Sequence, residues 1–148
     1  MGKIEAINIT NISEENTFYV NQAILEKGKG IVNDRYYENF KEKKEQVTLI
    51  NLEDINNFNK QIKRNIEAKD FRRNIIVSGI NLNELINKKI RINRVTLKIH
   101  EICQPCKYLQ ERLKIPGLVK MLVNRSGVRA EILSSGSLSV GNTIKIVK

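Results

Sequence analysis

The chain has 148 residues, with 26 Lys and Arg against 16 Asp and Glu, one His, two Cys and a formal net charge of +10. That length suits one domain spanning residues 1–148. Two cysteines exclude a secreted disulfide framework, and 5% aromatics with no Trp argue against a base-stacking nucleic-acid platform. No apolar run approaches the roughly 18–20 residues of a membrane span, and Met1-Gly2-Lys3-Ile4-Glu5 opens no apolar signal core. The expectation is a cytoplasmic protein with no membrane association. Ile, Lys and Asn recur together along the whole chain, so most of the positive charge reads as solvated surface.

In chain order, Lys3–Ile9 mixes apolar and polar residues like a half-buried strand, Asn11–Asn16 is turn-like, and Phe18–Leu25 is extended. A glycine-containing bend, Gly28-Lys29-Gly30-Ile31-Val32-Asn33-Asp34-Arg35, follows, then an exposed charged stretch and a short strand at Gln46–Ile50. Leu52, Ile55, Phe58, Ile62 and Ile66 form one apolar stripe, which predicts an amphipathic helix from about Glu53 to Lys69 with Asn51 as its N-cap. Phe71–Gly79 returns to strand character. Ile80, Leu82 and Leu85 mark a helical turn. Lys89–Ile92 and Val95–Ile99 form a hairpin about Asn93-Arg94. Cys103-Gln104-Pro105-Cys106 ends that hairpin. Two short helices are expected at Lys107–Leu113 and Leu118–Val123, and three short strands close the chain. Seven or eight short strands with hairpin spacing predict a mainly β protein, an antiparallel β-barrel with two or three inserted short helices.

The Cys-x-x-Cys step admits several readings. A zinc site wants four ligands, and Cys103, Cys106 and His100 supply three. A thioredoxin-like pair wants a βαβ setting that this hairpin-rich chain does not offer. Two idle buried thiols remain possible, as does one working thiol at a strand end: Pro105 fixes the backbone before Cys106, and Lys107 beside it favours a thiolate. Arg72-Arg73-Asn74 offers guanidinium forks and an amide. In a strand the two arginines face opposite sides, so one can aim at a pocket; an ordinary edge-strand pair fits as well. Arg125-Ser126-Gly127 is a similar donor-rich turn. The Gly28–Arg35 bend can present N–H groups to an anion, although it is no phosphate-loop motif and Asp34 and Arg35 can simply pair. A single His assembles no hydrolytic triad.

Taken in order, Gly30-Ile31-Val32-Asn33-Asp34-Arg35, Gln46-Val47-Thr48-Leu49-Ile50, Phe71-Arg72-Arg73-Asn74-Ile75-Ile76-Val77-Ser78-Gly79-Ile80-Asn81-Leu82, Cys103-Gln104-Pro105-Cys106, Arg125-Ser126-Gly127-Val128 and the closing Gly136–Asn142 resemble a MOSC domain, named for the C-terminal part of molybdenum cofactor sulfurases. Asn33 stands where that family usually has Gly, and Asn142 where it usually has Asp. Both substitutes suit tight turns.

The resemblance implies a β-barrel associated with the molybdenum cofactor (molybdopterin) or with sulfur transfer to it. The family's functional cysteine falls on Cys106, as a molybdenum ligand or a persulfide carrier. Arg73, Asn74, Arg125 and Ser126 are implied contacts to the pterin and its phosphate, with Arg72, Asp34 and Arg35 as neighbours. Larger relatives add desulfurase-like or electron-transfer domains. The implied partners are therefore the cofactor, its biosynthetic and acceptor enzymes, and a separate sulfur or electron donor. Two alternatives stand beside this accessory role. One is a small molybdenum-dependent reductase of N-hydroxylated compounds. The other is a basic barrel binding nucleic acid, which the low aromatic content makes the weaker reading.

Overall fold

The computed structural model describes residues 2–11, 17–105 and 107–147. The turn expected at Asn11–Asn16 falls almost wholly outside them. Among the described residues there are eleven strands: β1 (Gly2–Ile9), β2 (Phe18–Val20), β3 (Gln22–Glu26), β4 (Gly30–Ile31), β5 (Val47–Asn51), β6 (Ile75–Ser78), β7 (Lys89–Ile92), β8 (Val95–Ile102), β9 (Val128–Ser134), β10 (Gly136–Ser139) and β11 (Thr143–Val147). Three α-helices join them: α1 (Leu52–Ile62), α2 (Lys107–Leu113) and α3 (Leu118–Met121). Seven strands close in the order β11-β7-β8-β9-β5-β6-β1, with β1 pairing back onto β11 and β2 extending outside β1. A second sheet, β10-β3-β4, contributes Ala23, Leu25, Ile31 and Leu138 to the same core.

The barrel is mixed, not purely antiparallel as the sequence suggested. β5 and β6 run parallel, with Leu49 opposite Ile75. The cause is α1. A helix between two strands carries the chain back along the barrel, so β6 enters in the same direction as β5. The pair is then covered on both faces, and its residues read as continuous apolar runs. Val47, Leu49, Ile75 and Val77 fill the barrel, while Ile50 and Ile76 face a second core with Ile55, Phe58, Phe71, Leu109, Leu118 and Leu122. Phe58 and Phe71 meet edge to face, with ring centroids 5.8 Å apart.

Three local expectations change. In β1, Ile4 and Ile7 are both in the barrel core although an odd spacing assigns them to opposite faces. A bulge between Ile4 and Ala6 absorbs the extra residue. The helix expected to reach Lys69 stops at Ile62. Lys63 turns left-handed at φ 56°, and the Asn59 side chain folds the chain back through bonds to the Ile66 N–H and carbonyl, both 2.9 Å. Ile62 and Ile66 still pack on the second core. Asn51 occupies the N-cap position, but its amide serves a different purpose. It donates to the Ile80 carbonyl at 2.6 Å and accepts from the Leu82 N–H at 3.2 Å, tying the loop after β6 to the end of β5.

Candidate functional site

Pairing registers bring five strand ends to one rim of the barrel. Asn8 near the end of β1 lies beside Asn74 before β6. Leu49 of β5 faces Ile75 and Val128, and Val128 of β9 faces Ile102 at the end of β8. The Arg-Arg-Asn segment, the Arg-Ser-Gly segment and the start of the Cys-x-x-Cys segment are therefore neighbours, although about 20 to 50 residues separate them in sequence.

Arg72 and Arg73 are not in a strand, because β6 begins at Ile75. A 3-10 turn at Ala68–Phe71 ends on Arg72, which is left-handed at φ 60° and 9% exposed. This conformation is costly for a residue with a Cβ, on the order of 1 kcal/mol. The expected alternation of faces does not apply; the turn at Arg72 sets the two directions instead. Arg73 donates through Nε to the Ser126 carbonyl at 2.7 Å and through Nη2 to Ser126 Oγ at 3.1 Å. Ser126 is fully buried. Gly127 makes that approach possible. Its φ is +94°, and a Cβ there would lie 2.1 Å from the Leu49 carbonyl oxygen.

Asn74 is the hub of the frame. Its Oδ1 accepts from the Thr48 N–H at 3.0 Å and the Thr48 hydroxyl at 3.1 Å, its own N–H donates to Thr48 Oγ1, and its Nδ2 donates to the Asn8 carbonyl. Its side chain also bonds Asp34. Asp34 is buried and accepts from the Thr10 N–H at 3.0 Å and the Tyr36 N–H at 3.4 Å. Burial raises the Asp34 pKa above the usual aspartate value, against the pull of those donors and of Arg35. The Arg35 guanidinium sits 4.6 Å from the centre of the Tyr36 ring. Gly28 and Gly30 close the β3–β4 hairpin, where the Lys29 N–H is taken by Glu26.

Arginines concentrate here. Burial depresses the Arg72 pKa, and the positive charges of Arg35 and Arg112 depress it further, with Tyr108 and Tyr36 opposing. Arg112 and Tyr108 belong to α2, the helix that follows residue 106. Cys103 donates its N–H to the Gly127 carbonyl at 2.8 Å. The chain before residue 106 is thus anchored at the rim. Cys106 itself lies outside the described residues. Cys103 is a buried free thiol whose pKa burial raises, with Arg73 and Arg129 pulling the other way. His100 bonds Glu131 at 2.9 Å, and no cluster of metal-ligating side chains occurs among the described residues.

Arg125 parts from the set. Its exposed guanidinium reaches Asp54 Oδ1 at 3.5 Å, on the α1 side, while its neighbour Ser126 turns into the rim. Sequence reading overlooked Asn8, Thr10, Thr48 and Arg112. The first three look like ordinary strand residues. The signal available for Arg112 was its position two turns after Cys106 on a predicted helix.

The MOSC domain model matches residues 36–145, beginning just past Asp34 and Arg35. No curated protein matches. The fold is similar to the YuaD protein from Bacillus subtilis, with a TM-score of 0.80 at 18% identity over 99% of this chain and 96% of that one. It is also similar to YiiM from Geobacillus stearothermophilus (0.80, 16%, 100% and 76%) and YiiM from Escherichia coli (0.73, 11%, 99% and 70%). No described helix is long and apolar enough to cross a membrane.

Proposed function

The chain belongs to the MOSC domain family, and from that premise we propose that it binds the molybdenum cofactor, or carries sulfur destined for it, through the thiolate of Cys106 beside the arginine-rich rim. The observation that carries this reading is the concentration of like charge, with Arg72 desolvated in the fields of Arg35 and Arg112 next to the helix that follows Cys106. A cluster of guanidinium groups raises the local positive potential and favours an anion beside it. A pterin phosphate is such an anion, and a guanidinium fork matches its oxygens.

The residues present fit that group. Asn8 Oδ1 is a buried acceptor that no described donor satisfies, which suits a pterin N–H. When bound, the cofactor supplies a molybdenum centre that takes a soft thiolate ligand. The protein's share is positional. Ser126 holds Arg73 by two bonds and so fixes its fork. Asn74 spends its amide on Thr48, Asn8 and Asp34, so it positions the rim. Asp34 anchors the turn that presents Arg35. Arg125, directed at Asp54, stands outside the set. Cys103, with its raised pKa, stays a thiol and leaves the ionised role to Cys106. A separate donor delivers sulfur or electrons.

Protein purified from a cofactor-replete host should contain molybdenum and pterin, and Cys106→Ala should lose most of the metal. A Cys106→Ala protein that keeps its full load, together with no persulfide on the wild type, overturns the reading. A mass gain of about 32 Da on Cys106 assigns the sulfur-carrying form.

A further inference from the structure

A second recess, of about 540 Å³, lies away from the arginine cluster between the start of α1, the loop after β6 and Asn124-Arg125. Its charged lining residues are Glu53, Asp54 and Arg125, one net negative charge on a chain of net +10. The recess at the end of α1, by contrast, is lined by Lys60, Lys63 and Arg64. Simple anions are disfavoured in the recess at the start of α1, and an amine is favoured.

The two carboxylates differ. Glu53 is committed, accepting from the Gly79 N–H at 2.9 Å and from Asn51 Nδ2 at 3.2 Å. Among the described residues, the Asp54 carboxylate accepts from Arg125 Nη1 alone, at 3.5 Å, the outer limit of a hydrogen bond. A half-buried carboxylate and an exposed guanidinium therefore face one cavity with bonding capacity left over. The wall beside them is made of amides from Asn81, Asn83 and Asn124. That wall is tied to the loop before Cys106. Asn83 Nδ2 donates to the Asn124 carbonyl at 2.7 Å, the Asn124 N–H donates to Gln104 Oε1 at 2.9 Å, and Gln104 Nε2 donates back to Asn124 Oδ1 at 2.6 Å.

We propose that this recess binds a small zwitterion of the amino-acid class, its carboxylate on Arg125 and its ammonium on Asp54, and that Asn124 and Gln104 transmit occupancy to the loop before Cys106. Opposite charges on the ligand replace the stretched Asp54–Arg125 contact with two charge-assisted bonds. The amide wall accepts hydroxyl or amide side chains. The site stands whether or not the rim takes a cofactor.

The test is calorimetric titration of the full chain with each proteinogenic amino acid, with ethanolamine and 3-hydroxypropanoate as fragments carrying one charge each. At least one amino acid should bind saturably in the millimolar range or tighter. It should weaken about tenfold or more in Asp54→Asn, in Arg125→Gln and in either fragment. Saturable binding by none of them, or binding unaffected by both substitutions, overturns the site. For the transmission, the alkylation rate of Cys106 is followed in a Cys103→Ser background. The bound amino acid should change that rate, and Gln104→Ala should abolish the change. A ligand that binds and leaves the rate unaltered refutes the link.

Discussion

The rim and the recess beside Arg125 share a polar lining, and Ser126 and Arg125 are adjacent in the chain, yet the two regions obey opposite rules. At the rim, polar groups are buried and, apart from Asn8 Oδ1, tied by internal bonds, and like charges are brought close together. In the recess the side chains are more open, and charges of opposite sign meet at a stretched distance. Burial is the difference. Desolvation magnifies every interaction at the rim, so that region is rigid and costly to disturb. Solvent screens Arg125, so the Asp54–Arg125 contact contributes little to folding and remains available to a ligand.

The comparison breaks most visibly at Gly127. Gly127→Ala forces a Cβ against the Leu49 carbonyl at a positive φ, and urea unfolding should show a loss of about 3 kcal/mol or more. A near-neutral result contradicts the close packing of Gly127 on β5. Asn74→Ala comes next. It leaves the Thr48 N–H and the Asn8 carbonyl without partners, at roughly 2–4 kcal/mol by the same measurement. Arg73→Lys keeps the charge and loses the fork on Ser126, for about 1–2 kcal/mol. It should also lower the cofactor load.

A pH series sharpens the contrast through its sign. Asp34 has a raised pKa in the fold, so stability falls as pH rises from the ordinary aspartate value to the raised one. Glu53 belongs to the recess. There burial pushes the carboxyl up, but the bonds from the Gly79 N–H, its own N–H and Asn51 outweigh it and lower the pKa. Its contribution is therefore present above the ordinary glutamate value and lost as pH falls through the lowered one. Asp34→Asn should flatten the descending limb of stability against pH, and Glu53→Gln the ascending limb. Identical profiles for wild type and both variants argue against the difference in environment. The smallest effect is Arg125→Gln, which should stay within about 0.5 kcal/mol of wild type in unfolding because Arg125 is exposed and its contact with Asp54 is stretched.

Much of this architecture was legible in residue order. The hairpin of β7 and β8 follows from alternation, with Asn93 left-handed in its turn at φ 55°. The short helix expected at Lys107–Leu113 forms over those residues, and the one expected at Leu118–Val123 forms over Leu118–Met121. The turn at Asn33 is left-handed at φ 72°, as an Asn in place of Gly permits. At Asn142 the turn survives by another route: its Oδ1 accepts from the Ser139 N–H at 2.7 Å and from Asn93 Nδ2 at 2.8 Å. The grouping of Arg73, Asn74 and Ser126 was also anticipated, through family likeness.

Alternation and apolar spacing are local, and local pattern settled which segments are strands, which are helices and which chemical groups the chain owns. Direction and partnership were decided by the folded chain. The parallel entry of β6 depends on how α1 packs over β5. The course of Arg72 and Arg73 depends on a left-handed turn that no alternation reveals. Whether Arg125 joins Arg73 or Asp54 depends on which way one residue of a loop faces. These outcomes are set by contacts between residues far apart in sequence, whose energies no stretch of sequence contains by itself.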